Sequence, residues 1–194
     1  MLKLDPHLAM RLDRVSTGGP RPPALRPGPL QETSKWRQAS ACRGMGVILI
    51  ESVLPHARDR LVTIGTDSPL TEAAELLFEP TCRMAVVCDP AGTMVGVITR
   101  TDLIRQIRHC QGCGCVTPCM MIMTRGVIFC RPSERVDHVW AVMRERELHS
   151  IPVVDRKRRP IGLLSARDAL EALLASAEYE EDLLRDYVMG VGYR

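Results

Sequence analysis

No apolar run in this chain of 194 residues approaches the roughly 18–20 residues that a bilayer crossing requires. The N-terminus also lacks the continuous apolar stretch of a secretory signal. These absences argue against a membrane partner and for a cytoplasmic protein. A strong charge of either sign is missing too: 26 Lys+Arg stand against 23 Asp+Glu, a net charge of +3. That is too little for wholesale attraction to nucleic acid or a membrane surface. No Ser-His-Asp order, paired catalytic carboxylates or phosphate-binding P-loop is present, and the 5 histidines are scattered, so no enzyme is expected. With no export signal, the 8 cysteines read as free thiols or metal ligands rather than disulfides.

What is present is a globular composition, 45% apolar and 25% charged. Residues 16–34, STGGPRPPALRPGPLQETS, are dense in Pro and Gly, and residues 1–44 are expected to form a disordered tail. Apolar patterning resumes at Met45, which makes Met45 an alternative translation start that intact mass would decide.

Asp89 aligns with Asp155, Gly96 with Gly162 and Asp102 with Asp168, each pair 66 residues apart, with no gap from about residue 62 to residue 108. The shift also pairs Glu79 with Glu145, Val87 with Val153 and Thr99 with Ser165. A duplicated unit follows, because one such unit rarely buries its apolar face without a second to cover it. Each copy opens with a short apolar strand, Leu61 to Ile64 or Val127 to Phe129. Next comes a helix whose apolar face is Leu70, Ala73, Ala74, Leu77 and Phe78, or Val136, Val139, Trp140 and Met143. Two short strands and a second helix complete the order β-α-β-β-α, twice. RKRR, Arg156 to Arg159, falls where the second copy needs a turn between strands and is read as a solvated hairpin, not a nucleic-acid patch.

At the end of the last strand of each copy stands a hydroxyl followed three residues later by Asp: Thr99 and Asp102, Ser165 and Asp168. Two readings are open. Ser/Thr-x-x-acid is the capping-box pattern, which satisfies helix amides. The same helix start also offers free N–H groups and a positive dipole end to a phosphate, while the carboxylate suits the paired hydroxyls of a ribose.

These stretches, VVCDPAGTMVGVITRTDL and HSIPVVDRKRRPIGLLSARDAL above all, resemble tandem cystathionine-β-synthase (CBS) domains, a Bateman module, over about residues 46–175. The resemblance implies an α+β fold of two repeats packed with pseudo-twofold symmetry. The expected division is a tail at 1–44, copy 1 at 45–109, a Cys-rich linker at 110–120, copy 2 at 121–175 and a C-terminal amphipathic helix and tail at 176–194. It implies clefts that take Asp from one copy and wall residues from the other: Thr99 and Asp102 facing His149 and Ser150, Ser165 and Asp168 facing Arg83 and Met84, with the strands around Ile64 and Cys130 beside a base. The ligand implied is an adenine nucleotide, no cofactor is required, and the partners implied are a second copy of the chain and an unidentified effector protein. Leu170, Leu173, Leu174, Leu183, Leu184, Tyr187 and Val188 would give the C-terminal helix its apolar surface.

The alternative is a metal or thiol switch in the linker. Cys110, Cys113, Cys115 and Cys119 lie close together, and the first two have a chelating spacing suited to zinc or an iron–sulfur cluster, although the Cys113-x-Cys115 step fits neither common pattern.

Overall fold

The computed structural model describes residues 30–33, 47–108 and 116–188. Copy 1 contains β2 (Thr63–Gly65), α2 (Leu70–Phe78), β3 (Met84–Cys88), β4 (Met94–Thr99) and α3 (Arg100–Ile107), preceded by α1 (Ile50–Asp59) and by β1 (Gln31–Glu32). Copy 2 contains β5 (Ile128–Phe129), α5 (Val136–Glu145), β6 (Ser150–Val154), β7 (Pro160–Ser165) and α6 (Ala166–Val188), preceded by the short α4 (Cys119–Ile122). The β-α-β-β-α order therefore occurs twice, in an α+β fold, and the last helix runs unbroken from the end of β7.

The 66-residue shift is kept in space. Ile64 of β2 registers beside Val87 of β3, and Cys130, just after β5, bridges Val153 of β6, parallel in both cases. Both β3–β4 and β6–β7 are antiparallel pairs whose register slips at the equivalent place, between Val87 and Cys88 and between Val153 and Val154. At the turns, Gly92 has φ 79° and Arg158, its counterpart, φ 60°. Asp89 Oδ1 accepts from Thr93 N at 2.8 Å, and Asp155 Oδ1 accepts from Lys157 N and Arg159 N at 2.7 and 2.8 Å. The RKRR run is thus a hairpin turn held by its own aspartate.

The copies exchange their leading helices. The buried face of α1, Ile50, Val53, Leu54 and Ala57, repeats at helical spacing and packs with Val136, Val139, Met143, Ile151 and Leu164 of copy 2. In return Cys119 of α4 joins Ile64, Leu70, Leu77, Val87 and Ile98 in the core of copy 1. A third cluster joins the copies directly, with Val86, Met94 and Val97 against Val127, Phe129 and Val154. Met94 N also donates to Arg158 O across the copies at 3.0 Å.

This exchange explains the repeated glycine. A Cβ on Gly96 would stand 2.8 Å from Met123 Sδ and 2.9 Å from Thr124 O; one on Gly162 would stand 3.0 Å from Ala57 Cβ and 3.1 Å from Leu54 Cδ1. Each glycine lets the other copy's leading segment close onto the sheet.

One part of the expected tail is ordered. Gln31 and Glu32 pair in parallel with Ile128 and Phe129, Arg131 Nε donates to Glu32 Oε1 at 2.8 Å, and the buried Thr33 hydroxyl donates to Glu134. The prolines end at Pro29, so donors return where β5 offers an unpaired edge. The other residues of the expected tail, and residues 45 and 46, lie outside the described residues.

Candidate ligand clefts

Thr99 ends β4 in an extended conformation (φ −119°, ψ 166°) and caps α3. Asp102 Oδ2 accepts from Thr99 N at 2.9 Å and from the Thr99 hydroxyl at 2.8 Å, closing a capping box. In copy 2, Ser165 N and Ser165 Oγ donate to Asp168 Oδ2 at 3.3 and 2.7 Å, and Asp168 N donates to Ser165 Oγ at 3.1 Å. Both carboxylates are nearly buried, 9% exposed at Asp102 and 7% at Asp168. The capping reading is therefore realised in both copies. It occupies one carboxylate oxygen, Oδ2, in each and leaves the second for other partners.

The arginines beside the two carboxylates differ, and so does the oxygen each approaches: Oδ1 at Asp102 and the capping oxygen Oδ2 at Asp168. Asp102 Oδ1 lies 3.5 Å from Arg105 Nη1, one turn along its own helix and largely in solvent. Asp168 Oδ2 is ion-paired with Arg60 Nη1, which also donates to Ser165 Oγ at 3.1 Å. Arg60 follows α1, so it is a copy 1 residue at the head of a copy 2 helix. The sequence reading did not find it; its only signal is its position 66 residues before Gly126, which has no side chain to do the same.

The strand ends place the remaining expected residues. Met84 registers opposite Thr99 and Ser150 opposite Ser165, so each is the sheet neighbour of the motif in its own copy. His149 and Arg83, one residue before these, are exposed, and His149 O accepts from Ala166 N at 2.9 Å. The side chains of Ile64 and Cys130 are 4% and 0% exposed and belong to the cores of their own copies, because alternation along each strand turns them inward. Two surface cavities, of about 340 and 330 Å³, are lined by Val62, Glu72, Leu76 and Cys82 and by Arg131, Ser133, Asp155 and Arg156 respectively, not by the motif residues.

Cys119 is 0% exposed and packs in the core of copy 1. Burial pushes the thiols of Cys119, Cys82 and Cys88 up, and that of Cys130 well up, so the reactive thiolate form is disfavoured. Cys110, Cys113 and Cys115 lie outside the described residues. Among the described residues no group of three or more His, Cys, Asp or Glu is placed to hold a metal ion, and no helix is long and apolar enough to cross a membrane.

A family model for the CBS domain matches residues 50–109 and 120–175. L-aspartate semialdehyde sulfurtransferase of Methanocaldococcus jannaschii is 30% identical over 107 residues, covering 55% of this chain and 20% of that protein. Homoserine O-acetyltransferase of Methanohalobium evestigatum is 26% identical over 108 residues, 56% of this chain and 21% of that protein. The chain thus spans about a fifth of the length of these curated relatives. Among solved structures, the CBS domain pair of protein MJ0100 in complex with 5′-methylthioadenosine and S-adenosyl-L-methionine has a TM-score of 0.55 at 27% identity, covering 66% of this chain and 96% of that one. The CBS-domain containing protein ATU1752 from Agrobacterium tumefaciens has a TM-score of 0.55 at 25% identity, covering 69% and 98%.

Proposed function

The chain belongs to the CBS domain family, with two copies of the domain, and from that premise we propose that it is a noncatalytic sensor of an adenosine-containing ligand such as AMP, ADP or ATP. The observation that carries this reading is the recurrence, at the heads of α3 and α6, of a hydroxyl and a nearly buried aspartate whose capping bonds use one carboxylate oxygen. A helix start receives negative charge, and a carboxylate accepts from a ribose diol. The adenosine derivatives bound by the CBS domain pair of protein MJ0100 support the choice of ligand class.

In this reading Asp102 and Asp168 hold the sugar, Thr99 and Ser165 orient them, Met84 and Ser150 border the clefts, and exposed His149 and Arg83 offer N–H donors beside the strand ends to a phosphate. Bound ligand favours one arrangement of the two copies, and a partner protein reads that arrangement. Phe78, Ile104 and Ile107 of copy 1 and Leu170 and Leu174 of copy 2 are exposed on helices, and a second copy of the chain is the expected cover for them.

A thermal-shift panel of AMP, ADP, ATP, S-adenosylmethionine and NAD tests the proposal. A ligand that binds only the folded chain at 100 times its dissociation constant adds about 2.7 kcal/mol of stability. The response is expected from at least one member and is expected to disappear in Asp102→Asn with the circular dichroism spectrum unchanged. A panel with no response contradicts the proposal.

A further inference from the structure

On both of the helices that follow the motifs, apolar side chains stand in solvent on the outer face. Along α3, Arg100, Ile104 and Arg108 follow one another at i, i+4 and i+8, with Arg105 and Ile107 beside them. The exposed Phe78 adjoins them at the end of α2, where Arg100 binds the Leu77 carbonyl. Ile104 and Ile107 are 67% and 68% exposed. Along α6 the outer face reads Leu170, Leu174, Glu178 and Glu181 at i, i+4, i+8 and i+11, and both leucines are exposed.

The 66-residue shift makes these faces comparable position by position: Ile104 corresponds to Leu170, Arg105 to Glu171 and Arg108 to Leu174. The apolar centre is kept and the charge beside it is reversed. Past the position where α3 ends, α6 continues, and residues 175–188 carry Glu178, Glu180, Glu181, Asp182 and Asp186 against a lone Arg185. Contacts within the chain leave the charge of both faces accessible: Arg105 is 64% exposed and 3.5 Å from Asp102, and Glu171 pairs with Arg167 in the open.

A second chain laid copy 1 on copy 1 sets Arg105 and Arg108 against their own duplicates and the α6 carboxylates against theirs, a like-charge juxtaposition that opposes association. Laid copy 1 on copy 2, it sets Ile104 and Ile107 on Leu170 and Leu174, with the arginines beside Glu171, Glu178 and Glu181. Building on the reading above that a second copy covers these helices, we propose that two chains pair head to tail, the α3 face of each packing on the α6 face of the other. The contact occurs twice about a twofold axis and closes at two chains. It joins the helix headed by Thr99 and Asp102 in one chain to the helix headed by Ser165 and Asp168 in the other.

Two measurements on the full chain test this. Sedimentation equilibrium counts the chains, and methyl NOEs give their orientation in an equal mixture of chains labelled only at isoleucine and chains labelled only at leucine, where every Ile–Leu contact is between chains. A dimer is expected, with NOEs from Ile104 or Ile107 to Leu170 or Leu174. Arg105→Glu and Glu171→Arg are each expected to weaken pairing about threefold or more, and the two combined in one chain to restore it. A dimer without these NOEs, or one indifferent to the single charge reversals or not restored by the double, overturns the head-to-tail arrangement and leaves the second copy as cover. A monomer, or an assembly that grows beyond two chains, overturns the proposal, and the monomer removes the second copy as well.

Discussion

Ala57 of α1 stands directly over Gly162 of β7, its Cβ 3.0 Å from where a glycine Cβ would be. The equivalent contact in copy 1 is tighter and harder: Gly96 faces Thr124 O at 2.9 Å, a backbone atom that cannot rotate away. Gly96→Ala is therefore expected to cost more than Gly162→Ala, about 1–3 kcal/mol for the former. Urea denaturation of the two variants checks the order. Equal or reversed costs would mean that the leading segments do not close onto the sheets as described.

The two hairpins give a pair of opposite predictions. Gly92 has φ 79° and nothing within 4 Å of an added Cβ, so Gly92→Ala pays only for backbone conformation. Arg158 holds φ 60° with a side chain already present. Gly92→Ala should destabilise by about 1 kcal/mol, and Arg158→Gly should be neutral or stabilising by a few tenths of that. Thermal melting of both variants reads the signs.

Arg100 holds the end of α2. Its Nε donates to Leu77 O at 2.7 Å, and its Nη2 donates to Glu79 O at 2.6 Å and Cys82 O at 3.2 Å, carbonyls at and just beyond the end of the helix, of which Glu79 O also accepts from Cys82 N at 3.0 Å. Copy 2 has Ala166 at the same position, so this is not part of the shared motif. Arg100→Met is expected to cost about 1–2 kcal/mol in urea while leaving the ligand stoichiometry of the protein unchanged.

Two neighbouring carboxylates of copy 2 titrate in opposite directions. The hydrogen bonds from Arg135 hold Asp137 below its ordinary 3.8. Its contribution to stability is present above that value and is lost as pH falls through the lower folded one. Burial pushes Glu134 above its ordinary 4.5, against the hydrogen bonds from Thr33 and Arg131 N. Its contribution is present below 4.5 and is lost as pH rises through the raised value. Carbon-detected titration of the two carboxyls should find Glu134 above 4.5 and Asp137 below 3.8. The Thr33→Ala variant, which removes a bond to the charged form, should raise Glu134 further.

The duplication was legible because both copies keep the same strands, turns and capped helices, and one shift superposes them down to the φ > 0 residue of each hairpin. Contacts that cross between copies left less trace. GVILIESVLP reads as a β-branched run ended by Pro55, yet α1 forms because Ile50, Val53, Leu54 and Ala57 find the sheet of the other copy. Cys119 stands 66 residues after Val53 and, like it, packs in a core, an equivalence that shows only once α1 and α4 are placed in space. Arg60 carried no local signal; its role appears only when α1 is placed on copy 2. Alternation along a short strand also could not say which face of Ile64 or Cys130 turned inward. The capping box was anticipated, and its two bonds leave the ribose question to the second carboxylate oxygen.

The measurement that reaches that oxygen most directly compares the affinities of adenosine and 2′,3′-dideoxyadenosine for the full chain. If a buried aspartate grips the sugar through its diol, the dideoxy compound binds about tenfold or more weakly, because the carboxylate is desolvated without a donor. Equal affinities would contradict the account, since the ligand would then be held without the aspartates that define the clefts.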